Sequence, residues 1–333
     1  MELSFSFIVP VYNRPNEIRE LLQSLTLQTY NKDFEVVIVE DGSTISSEKE
    51  VGTFKDVLTI SYYNKENSGP GDSRNFGMHR AKGNYFIVLD SDCILPPQYL
   101  IEAEKSLQED FVHCYGGPDA AHESFTDVQK AINYAMTSFL TTGGIRGGKK
   151  AVDTFQPRSF NMGLSKEVFT KVGGYGKIHP GEDPDLTIRI WNEGYRTKLI
   201  SEAFVYHKRR IDWKKFYTQV NKFGMVRPIL NKWHPETRKL TYWFPTLFTL
   251  GLVLAVIGAC VGIFLPIFCY ILYFSILWLD ALWKTKNMLV SVLALFATGV
   301  QFIGYGYGFL KSTVSLAFSN KEAHQLFPKL FFK

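Results

Sequence analysis

The chain has 333 residues, which is enough for one large domain or two ordinary ones. Its 37 basic and 32 acidic residues leave a formal net charge of +5, too small an excess to indicate a nucleic-acid-binding surface. Up to about Lys239 the composition is that of a soluble α/β protein, whereas residues 240–279 form a run of 40 without a formal charge. The sequence therefore predicts a soluble N-terminal part and a membrane-associated C-terminal part.

Four apolar runs predict strands, at residues 5–12, 34–44, 57–63 and 84–90. A helix is predicted after the first strand from the helical spacing of the apolar residues Ile18, Leu21, Leu22 and Leu25, and a second one at residues 71–83. Nearly continuous apolar strands separated by helices are typical of a parallel sheet covered on both faces. Because ligands of such sheets bind at the carboxyl ends of the strands, we expect a site at the polar residues that follow them.

Asp90-Ser91-Asp92 directly follows the fourth strand. If the backbone stays extended, alternate side chains point the same way, so that Asp90 and Asp92 share a face. Carboxylates suit Mg²⁺ or Mn²⁺, with substrate phosphates completing the shell, and such an ion would neutralise a diphosphate leaving group. The alternative is a solvated turn, since Asp-x-Asp is common by chance. The polar residues 13–14 and 40–43 at two other strand ends favour the cation site.

A second acidic pair, Glu182-Asp183, stands just before Pro184. Proline is frequent in the first turn of a helix, and carboxylates are favoured there by the helix dipole and the free N–H groups. One interpretation is a helix N-cap. The other is a general base at a helix tip, which would deprotonate an acceptor hydroxyl.

His207 follows another β-rich run and is either a structural or surface residue or a ligand for a divalent metal. The four cysteines have no metal-ligand spacing, so we expect reduced thiols. The N-terminus lacks the basic and apolar regions of a signal peptide. We therefore expect the first 235 or so residues to face the cytosol.

The uncharged tract would make a single helix about 60 Å long, roughly twice the hydrocarbon thickness of a bilayer. We therefore predict a turn near residues 262–266 between two spans, 244–264 and 266–283, and a third span at 288–310. Gly304-x-x-x-Gly308 in the third span is a pattern of small-residue helix packing.

Three spans place a tail with four lysines on the side opposite the catalytic part, against the positive-inside rule. Either that rule is overridden or the third segment is re-entrant or interfacial. Ahead of the spans, residues 213–223 carry an apolar stripe with lysines on other faces. This pattern predicts either an amphipathic helix on an anionic membrane surface or a helix packed on the catalytic domain.

Together the motifs resemble a family 2 glycosyltransferase with the GT-A fold. The resemblance covers residues 4–210 and rests on four stretches in the family's order: "FSFIVPVYNR", "VVIVEDGST", "NSGPGDSRNFGMHRAKGNYFIVLDSDC" and "GGYGKIHPGEDPDLTIRIWNEGY". It implies an α/β fold, in which a Rossmann-like, nucleotide-sugar-binding mixed sheet flanked by helices is followed by a C-terminal α-helical membrane region. The expected division is a catalytic domain (1–212), an amphipathic or interfacial linker helix (213–239), about three transmembrane helices (240–312) and a basic tail (313–333).

The resemblance also implies where the donor binds. Pro10, Tyr12 and Asn13 would line the nucleotide cleft. Asp41 would contact the nucleobase, and Arg74 would lie against the nucleotide. The donor would be a UDP-, GDP- or dTDP-linked sugar.

The resemblance also implies which residues bind the metal and catalyse the reaction. Asp90 would touch the ribose or the metal, and Asp92 would bind the metal, Mg²⁺ or Mn²⁺, with His207 as a further candidate ligand. Asp183 would be the catalytic base, with Glu182 beside it in the catalytic group. The implied reaction is a single inverting displacement at the anomeric carbon, in which one carboxylate activates the nucleophile as in inverting glycosidases.

The expected function is transfer of a sugar to a lipid-linked acceptor at the cytosolic face of the inner membrane, in capsule, O-antigen, glycolipid or other cell-surface glycan assembly. Polyprenyl phosphate as the acceptor is one variant of this function. A processive polysaccharide synthase is another, disfavoured because "QVNKF" keeps only the Gln of the processive Q-x-x-R-W motif. A non-catalytic scaffold or transport component that retains a sugar-nucleotide fold is the alternative class, and nucleic acid is not an expected partner.

Overall fold

The computed structural model describes residues 2–120, 125–143, 155–207 and 212–332. The chain forms two compact units. The sheet unit comprises Met1–His122, Lys149–Lys208 and Phe331–Lys333, and the helical unit comprises Glu123–Gly148 and Arg209–Leu330. Lys333, one of the four tail lysines, lies outside the described residues. The four-part division predicted from the sequence stays a prediction.

The secondary-structure elements are numbered in chain order. The strands are β1 (Phe5–Val11), β2 (Glu35–Asp41), β3 (Thr59–Lys65), β4 (Tyr85–Leu89), β5 (Cys93–Ile94), β6 (Cys114–Gly116), β7 (Asp119–Ala120), β8 (Asn161–Ser165), β9 (Thr197–Leu199) and β10 (Val205–His207). The helices are α1 (Pro15–Thr26), α2 (Glu48–Gly52), α3 (Pro70–Arg80), α4 (Tyr99–Glu109), α5 (Asp127–Thr137), α6 (Phe139–Thr142), α7 (Lys166–Val172), α8 (Glu182–Asn192), α9 (Trp213–Trp233), α10 (Phe244–Cys260), α11 (Leu265–Thr285), α12 (Met288–Ala317) and α13 (Ala323–Leu326).

The main sheet has the strand order β3-β2-β1-β4-β8-β6-β9. The first four strands are parallel, as the apolar runs predict, and β8 is antiparallel to both β4 and β6. Antiparallel pairing of Leu89 with Asn161 brings the start of β8 to the edge at which β4 ends. One edge of the sheet therefore collects the ends of β1, β2 and β4 and the residues that precede β8.

A second, three-stranded sheet has the order β5-β10-β7. Its strands are only two or three residues long, and β10 is antiparallel to β5 with His207 opposite Cys93. Its strand β5 begins directly after Asp92, so the pairing of β5 with β10 brings His207 next to this aspartate.

Alternating side chains cover both faces of the main sheet, as predicted. On one face Phe5, Phe7 and Val9 of β1 join a buried cluster with the apolar stripes of α1 and α4. On the other face Ile8 of β1 belongs to a cluster with Met78 of α3 and apolar residues of α7 and α8. The layered fold thus confirms the predicted α/β class with its mixed sheet.

In the helical unit, α9 packs along α12 with Phe216 and Val220 buried. Both side chains share a buried cluster with Ala297 of α12 and with apolar residues of α5. The stripe therefore packs against helices, and α5 belongs to the residues 1–212 that the sequence assigned to the catalytic domain. Small residues allow the contact: a Cβ on Gly304 would lie 2.6 Å from the Val220 side chain, and one on Gly308 would lie 2.3 Å from the carbonyl oxygen of Asn221. The predicted Gly304-x-x-x-Gly308 pattern is thus a helix-packing surface.

Three helical segments are long and apolar enough to cross a membrane: Leu240–Cys260, Leu265–Thr285 and Met288–Ala317. The first helix ends at Cys260, four residues earlier than predicted, and the turn that follows it ends at Phe264. The third helix extends seven residues further than predicted. Outward-facing apolar side chains such as Leu254 and Leu272 are more than 60% exposed, which suits contact with lipid. The predicted membrane association of the C-terminal region is supported by all three segments.

We predict that Gly308→Ala lowers the free energy of unfolding by about 1–3 kcal/mol, because its methyl group would overlap the α9 backbone. Gly299→Ala in the same helix is the matched control, since no described residue outside its own helical turn lies within 4 Å of its Cβ position. Thermal unfolding in detergent, followed by the helical circular dichroism signal, measures both. Equal melting temperatures for the two variants would contradict the packing role of Gly308.

Candidate active site

Asp90 and Asp92 follow β4 at the edge described above, and His207 is the last residue of β10 in the small sheet. The antiparallel pairing of β10 with β5 brings its imidazole to the two aspartates. His207 Nε2 is 3.2 Å from Asp92 Oδ1 and 3.8 Å from Asp90 Oδ2. The ring stacks on Phe160 with centroids 4.9 Å apart and planes 19° apart. The structure thus brings together the three predicted metal-binding residues.

Asp92 has a second cationic partner, because Arg14 donates a hydrogen bond from Nη1 to Asp92 Oδ2. Asp92 is 8% exposed. Burial alone would raise the pKa of Asp92, but His207 and Arg14 outweigh this effect and lower that pKa well below its usual range. Asp92 is therefore held as a carboxylate, the form that binds a cation.

The donor set fits a hard divalent ion. Neighbouring ligands of a six-coordinate ion with bonds of about 2.1 Å are about 3 Å apart, close to the separations of His207 from Asp92 and Asp90. Cys93 lies in the same group, within 4.8 Å of Asp92 and His207. However, its thiol donates to the carbonyl oxygen of Phe160, and burial raises the pKa of Cys93 well above its usual value. The two carboxylates, without a thiolate, suit Mg²⁺ or Mn²⁺.

Arg74 is a buried cation between two parts of the site. Its Nη2 donates to Asp90 Oδ1 at 2.7 Å, and its Nη1 donates to Glu182 Oε1 at 3.1 Å. The guanidinium lies 5.3 Å from the centroid of the Tyr175 ring. Because its side chain is only 4% exposed, Arg74 depends on these carboxylates for compensation of its charge. It therefore fixes the end of β4 relative to the start of α8.

Glu182 is the first residue of α8, after Gly181 at the N-cap. Its Oε1 accepts the bond from Arg74 and lies 2.9 Å from His179 Nδ1. Burial would raise the pKa of Glu182, but His179 and Arg74 together lower this pKa to about 2. Within the described part of the chain, its Oε2 atom is buried without a hydrogen-bond partner, as is the Nε atom of Arg74.

Asp183 has the opposite electrostatic environment. Burial raises its pKa above the usual value; Arg158, whose Nη1 is 3.5 Å from Asp183 Oδ2, opposes the shift, and Glu182 adds to it. The two neighbouring carboxyl groups are thus driven apart in pKa, a pattern that assigns different roles to two acids. A carboxylate with a raised pKa is the better proton acceptor.

Asp41 lies at the end of β2, and both of its oxygens are engaged. Oδ1 accepts from Lys65 Nζ at 2.8 Å and from the backbone N–H of Ser68 at 3.0 Å, and Oδ2 accepts from the N–H of Gly69 at 3.0 Å. Asp41 therefore holds the turn that leads into α3. An oxygen with one bond keeps a second lone pair, so a further hydrogen bond to a ligand is compatible with this arrangement.

Asn13 connects the ends of β1 and β2. It has a positive φ of 54°, a conformation that asparagine tolerates better than most residues. Its side-chain oxygen accepts from the backbone N–H groups of Thr44 and Ile45 at 2.8 and 2.9 Å. Tyr12 beside it is 52% exposed. Pro10 pairs with Val39 of β2, beyond the last residue of β1 that pairs with β4.

The predicted residues thus fall into three groups. Asp90, Asp92 and His207 form the cation group, and Arg74 joins this group to Glu182, next to Asp183. Pro10, Tyr12, Asn13 and Asp41 lie at the ends of β1 and β2, and none of their hydrogen bonds given above reaches the cation group.

Four residues that contact the predicted site have no role assigned by sequence reasoning. Arg14 is recognisable in the sequence only as a polar residue at a strand end, and His179 stands three residues before Glu182, a spacing that could have drawn attention to it. Arg158 and Lys65 carry no such signal in the sequence.

Comparisons with known proteins identify the family and fold to which the chain is similar. A model described as "Glycosyl transferase family 2" matches residues 6–172. An uncharacterized glycosyltransferase of Haemophilus influenzae is 30% identical over 209 residues, which cover 60% of this chain and 67% of that protein. An uncharacterized glycosyltransferase of Rickettsia conorii is 41% identical over 91 residues, 27% of this chain and 15% of that relative's length.

One solved structure has a similar fold over most of the chain. The mannosyltransferase PcManGT from Pyrobaculum calidifontis, in complex with GDP-Man and Mn²⁺, matches with a TM-score of 0.61 at 18% identity. The match covers 91% of this chain and 88% of that one. This likeness supports the predicted GT-A fold.

We predict that Arg74→Met destabilises the protein by roughly 3–5 kcal/mol, since Asp90 and Glu182 would lose their shared cation and Glu182 would remain buried. Arg80→Met is the control, because Arg80 is exposed on the same helix with its guanidinium over the Phe76 ring. Chemical denaturation followed by tryptophan fluorescence compares the two. A loss no larger in Arg74→Met than in Arg80→Met would show that the bridge contributes little.

Proposed function

The chain belongs to glycosyl transferase family 2, and we propose that it catalyses inverting transfer of a sugar from a nucleotide-sugar donor to a lipid-linked acceptor. The observation that carries this proposal is the arrangement around Arg74. This residue joins an aspartate of the cation group to an acidic pair in which one carboxyl group has a lowered pKa and the other a raised one. Such an arrangement supplies a charge-neutralising end and a proton-accepting end within one site.

The donor diphosphate is proposed to bind at the cation group. Asp92, Asp90 and His207 would hold Mg²⁺ or Mn²⁺, which when bound supplies positive charge to the departing diphosphate. Arg14 keeps Asp92 ionised and oriented. Support comes from the solved mannosyltransferase of the same fold, which holds GDP-Man and Mn²⁺.

Asp183 is proposed to be the catalytic base. It accepts the proton of the acceptor hydroxyl while that oxygen bonds to the anomeric carbon of the sugar. The bond from this carbon to the diphosphate breaks, and the diphosphate leaves with the electron pair. Because attack and departure occur on opposite sides, the anomeric configuration inverts. The raised pKa of Asp183 and its place at the N-terminal turn of α8 support this role.

Glu182 is proposed to orient the sugar rather than to take its proton, because its pKa is lowered to about 2. Its buried Oε2 is available to accept a hydrogen bond from a sugar hydroxyl. At the ends of β1 and β2, the exposed ring of Tyr12 offers a surface for the nucleobase of the donor, beside Pro10 and Asn13. Asp41 remains the proposed contact of the nucleobase.

The three apolar helices support a lipid-linked acceptor, since a soluble acceptor requires no membrane attachment. We propose that the sheet unit faces the cytosol at the inner membrane and builds a cell-surface glycan or glycolipid, with polyprenyl phosphate as one acceptor to be tested. The degenerate Q-x-x-R-W motif favours one sugar per encounter, so product length distinguishes this enzyme from a processive synthase.

We predict that the purified protein releases nucleotide from at least one UDP-, GDP- or dTDP-sugar in the presence of Mn²⁺ and a lipid extract. Asp183→Asn should lower kcat by about 10²–10⁴-fold, because the proton acceptor is lost. Glu193→Gln at the other end of α8 is the control, since this carboxyl pairs with Lys171 at the surface. No release by the wild-type protein would favour the non-catalytic alternative, and full turnover by Asp183→Asn would remove this residue as the base.

We predict that His207→Ala weakens Mn²⁺ binding by at least roughly 10-fold, because loss of a ligand should cost no less than loss of a residue that merely orients one. Titration calorimetry with Mn²⁺ alone measures this without reference to turnover, and a chelator should abolish transfer by the wild-type protein. His113→Ala is the control, because that ring contacts Ser165 and Tyr195 away from the aspartates. Unchanged affinity in His207→Ala would exclude His207 as a ligand.

A further inference from the structure

Phe331 and Phe332 belong to the sheet unit although they follow the helical unit in sequence. Phe331 forms an antiparallel bridge with Ile178, and the N–H of Phe332 donates to the carbonyl oxygen of Lys177 at 3.1 Å. These backbone bonds fix the segment on the loop before α8. They bring a half-buried aromatic ring close to the residues that surround the proposed base.

The Phe332 ring covers Gly69. A Cβ on Gly69 would lie only 2.3 Å from ring atoms, and the φ of this residue is +95°, so the turn requires glycine on two grounds. The N–H of Gly69 is one of the groups that bond the Asp41 carboxylate. The turn at the proposed nucleotide end is therefore held by Asp41 and by contact with Phe332.

The same ring also contacts His179. The two ring centroids are 5.7 Å apart, with planes tilted by 51°. The His179 side chain is 40% exposed, yet its Nδ1 is held 2.9 Å from Glu182 Oε1. An exposed side chain loses rotational freedom when it is fixed in one position, and packing against Phe332 restricts the alternatives open to it.

We propose that Phe332 is a positioning residue for sugar transfer, which holds the His179 imidazole against Glu182 and the Gly69 turn against Asp41. The inference rests on the proposed function for its kinetic consequence. Without the ring, His179 moves away from Glu182 more often. The Glu182 carboxylate then has Arg74 as its remaining partner, and its position is less well fixed. Since Arg74 also bonds Asp90, the disturbance reaches the cation group through two contacts.

The first test does not depend on activity. Diethylpyrocarbonate labelling of histidines, read by peptide mass spectrometry, reports whether His179 is held in place. We expect Phe332→Ala to raise the labelling rate of His179 severalfold and to leave the rate of His113 unchanged, because His113 contacts Phe111 and Tyr195. An unchanged rate at His179 would overturn the proposal.

The second test is kinetic. Phe332→Ala should lower kcat/KM for transfer by roughly 10- to 100-fold, the effect of a small misplacement of catalytic groups. Phe332→Tyr, which keeps the ring, should restore most of the rate. Phe318→Ala is the control for loss of an aromatic side chain, since Phe318 is 87% exposed. Its kcat/KM should equal that of the wild-type protein.

A double-mutant cycle separates positioning from a general loss of stability. Because Phe332 acts partly through His179, Phe332→Ala should slow transfer by a smaller factor in the His179→Ala background than in the wild-type protein. Losses that multiply, or a melting temperature lowered enough to unfold the protein at the assay temperature, would overturn the proposal. Absence of transfer by the wild-type protein would instead reject the proposed function, and the labelling experiment would still decide the role of Phe332.

Discussion

The site depends on the two ion pairs that the buried guanidinium of Arg74 forms with Asp90 and Glu182. A cation removed from water is tolerated only when carboxylates compensate it, and here the two carboxylates come from distant parts of the chain, the end of β4 and the start of α8. The planar fork of arginine bonds both at once, which the single ammonium of lysine does less well. The separation between the cation group and the acidic pair is thereby set by one rigid side chain.

The remaining charges are arranged around this bridge. Asp92 is ionised by Arg14 and His207, Glu182 is ionised by His179 and Arg74, and Asp183 is left with a partner at 3.5 Å. The weakest compensation therefore falls on Asp183, the carboxyl group that is proposed to accept a proton. In this site the same ion pairs that stabilise the fold also lower the pKa of Glu182, whereas the pKa of Asp183 is raised.

Local sequence pattern is sufficient to predict the first strands of the sheet and the helices between them. The apolar runs locate β1, β2 and β4, and the rule that ligands bind at strand ends points to Asp90, Asp92 and Asn13 from the amino-acid sequence alone. The rule fails for Arg158 and Phe160, because they precede an antiparallel strand and it concerns only the ends of parallel ones. His207 reaches the aspartates through a three-residue strand, and pairing so short and so distant in sequence leaves no periodic signal. The predicted C-terminal ends of the first and third membrane helices differ from the observed ones by four and seven residues, since a uniformly apolar tract contains few residues that mark where a helix stops.

The position of Phe332 has a practical consequence for handling the protein. Whatever follows this residue, native chain or purification tag, starts within two residues of a ring that touches both the Gly69 turn and His179. The opposite end of the chain enters β1, whose seven residues run towards the site and carry its start roughly 20 Å away, at the other edge of the sheet. We therefore expect a tag at the N-terminus to disturb the proposed donor site less than a tag at the C-terminus. Inactivity of a protein tagged at the C-terminus should be checked with the tag at the other end.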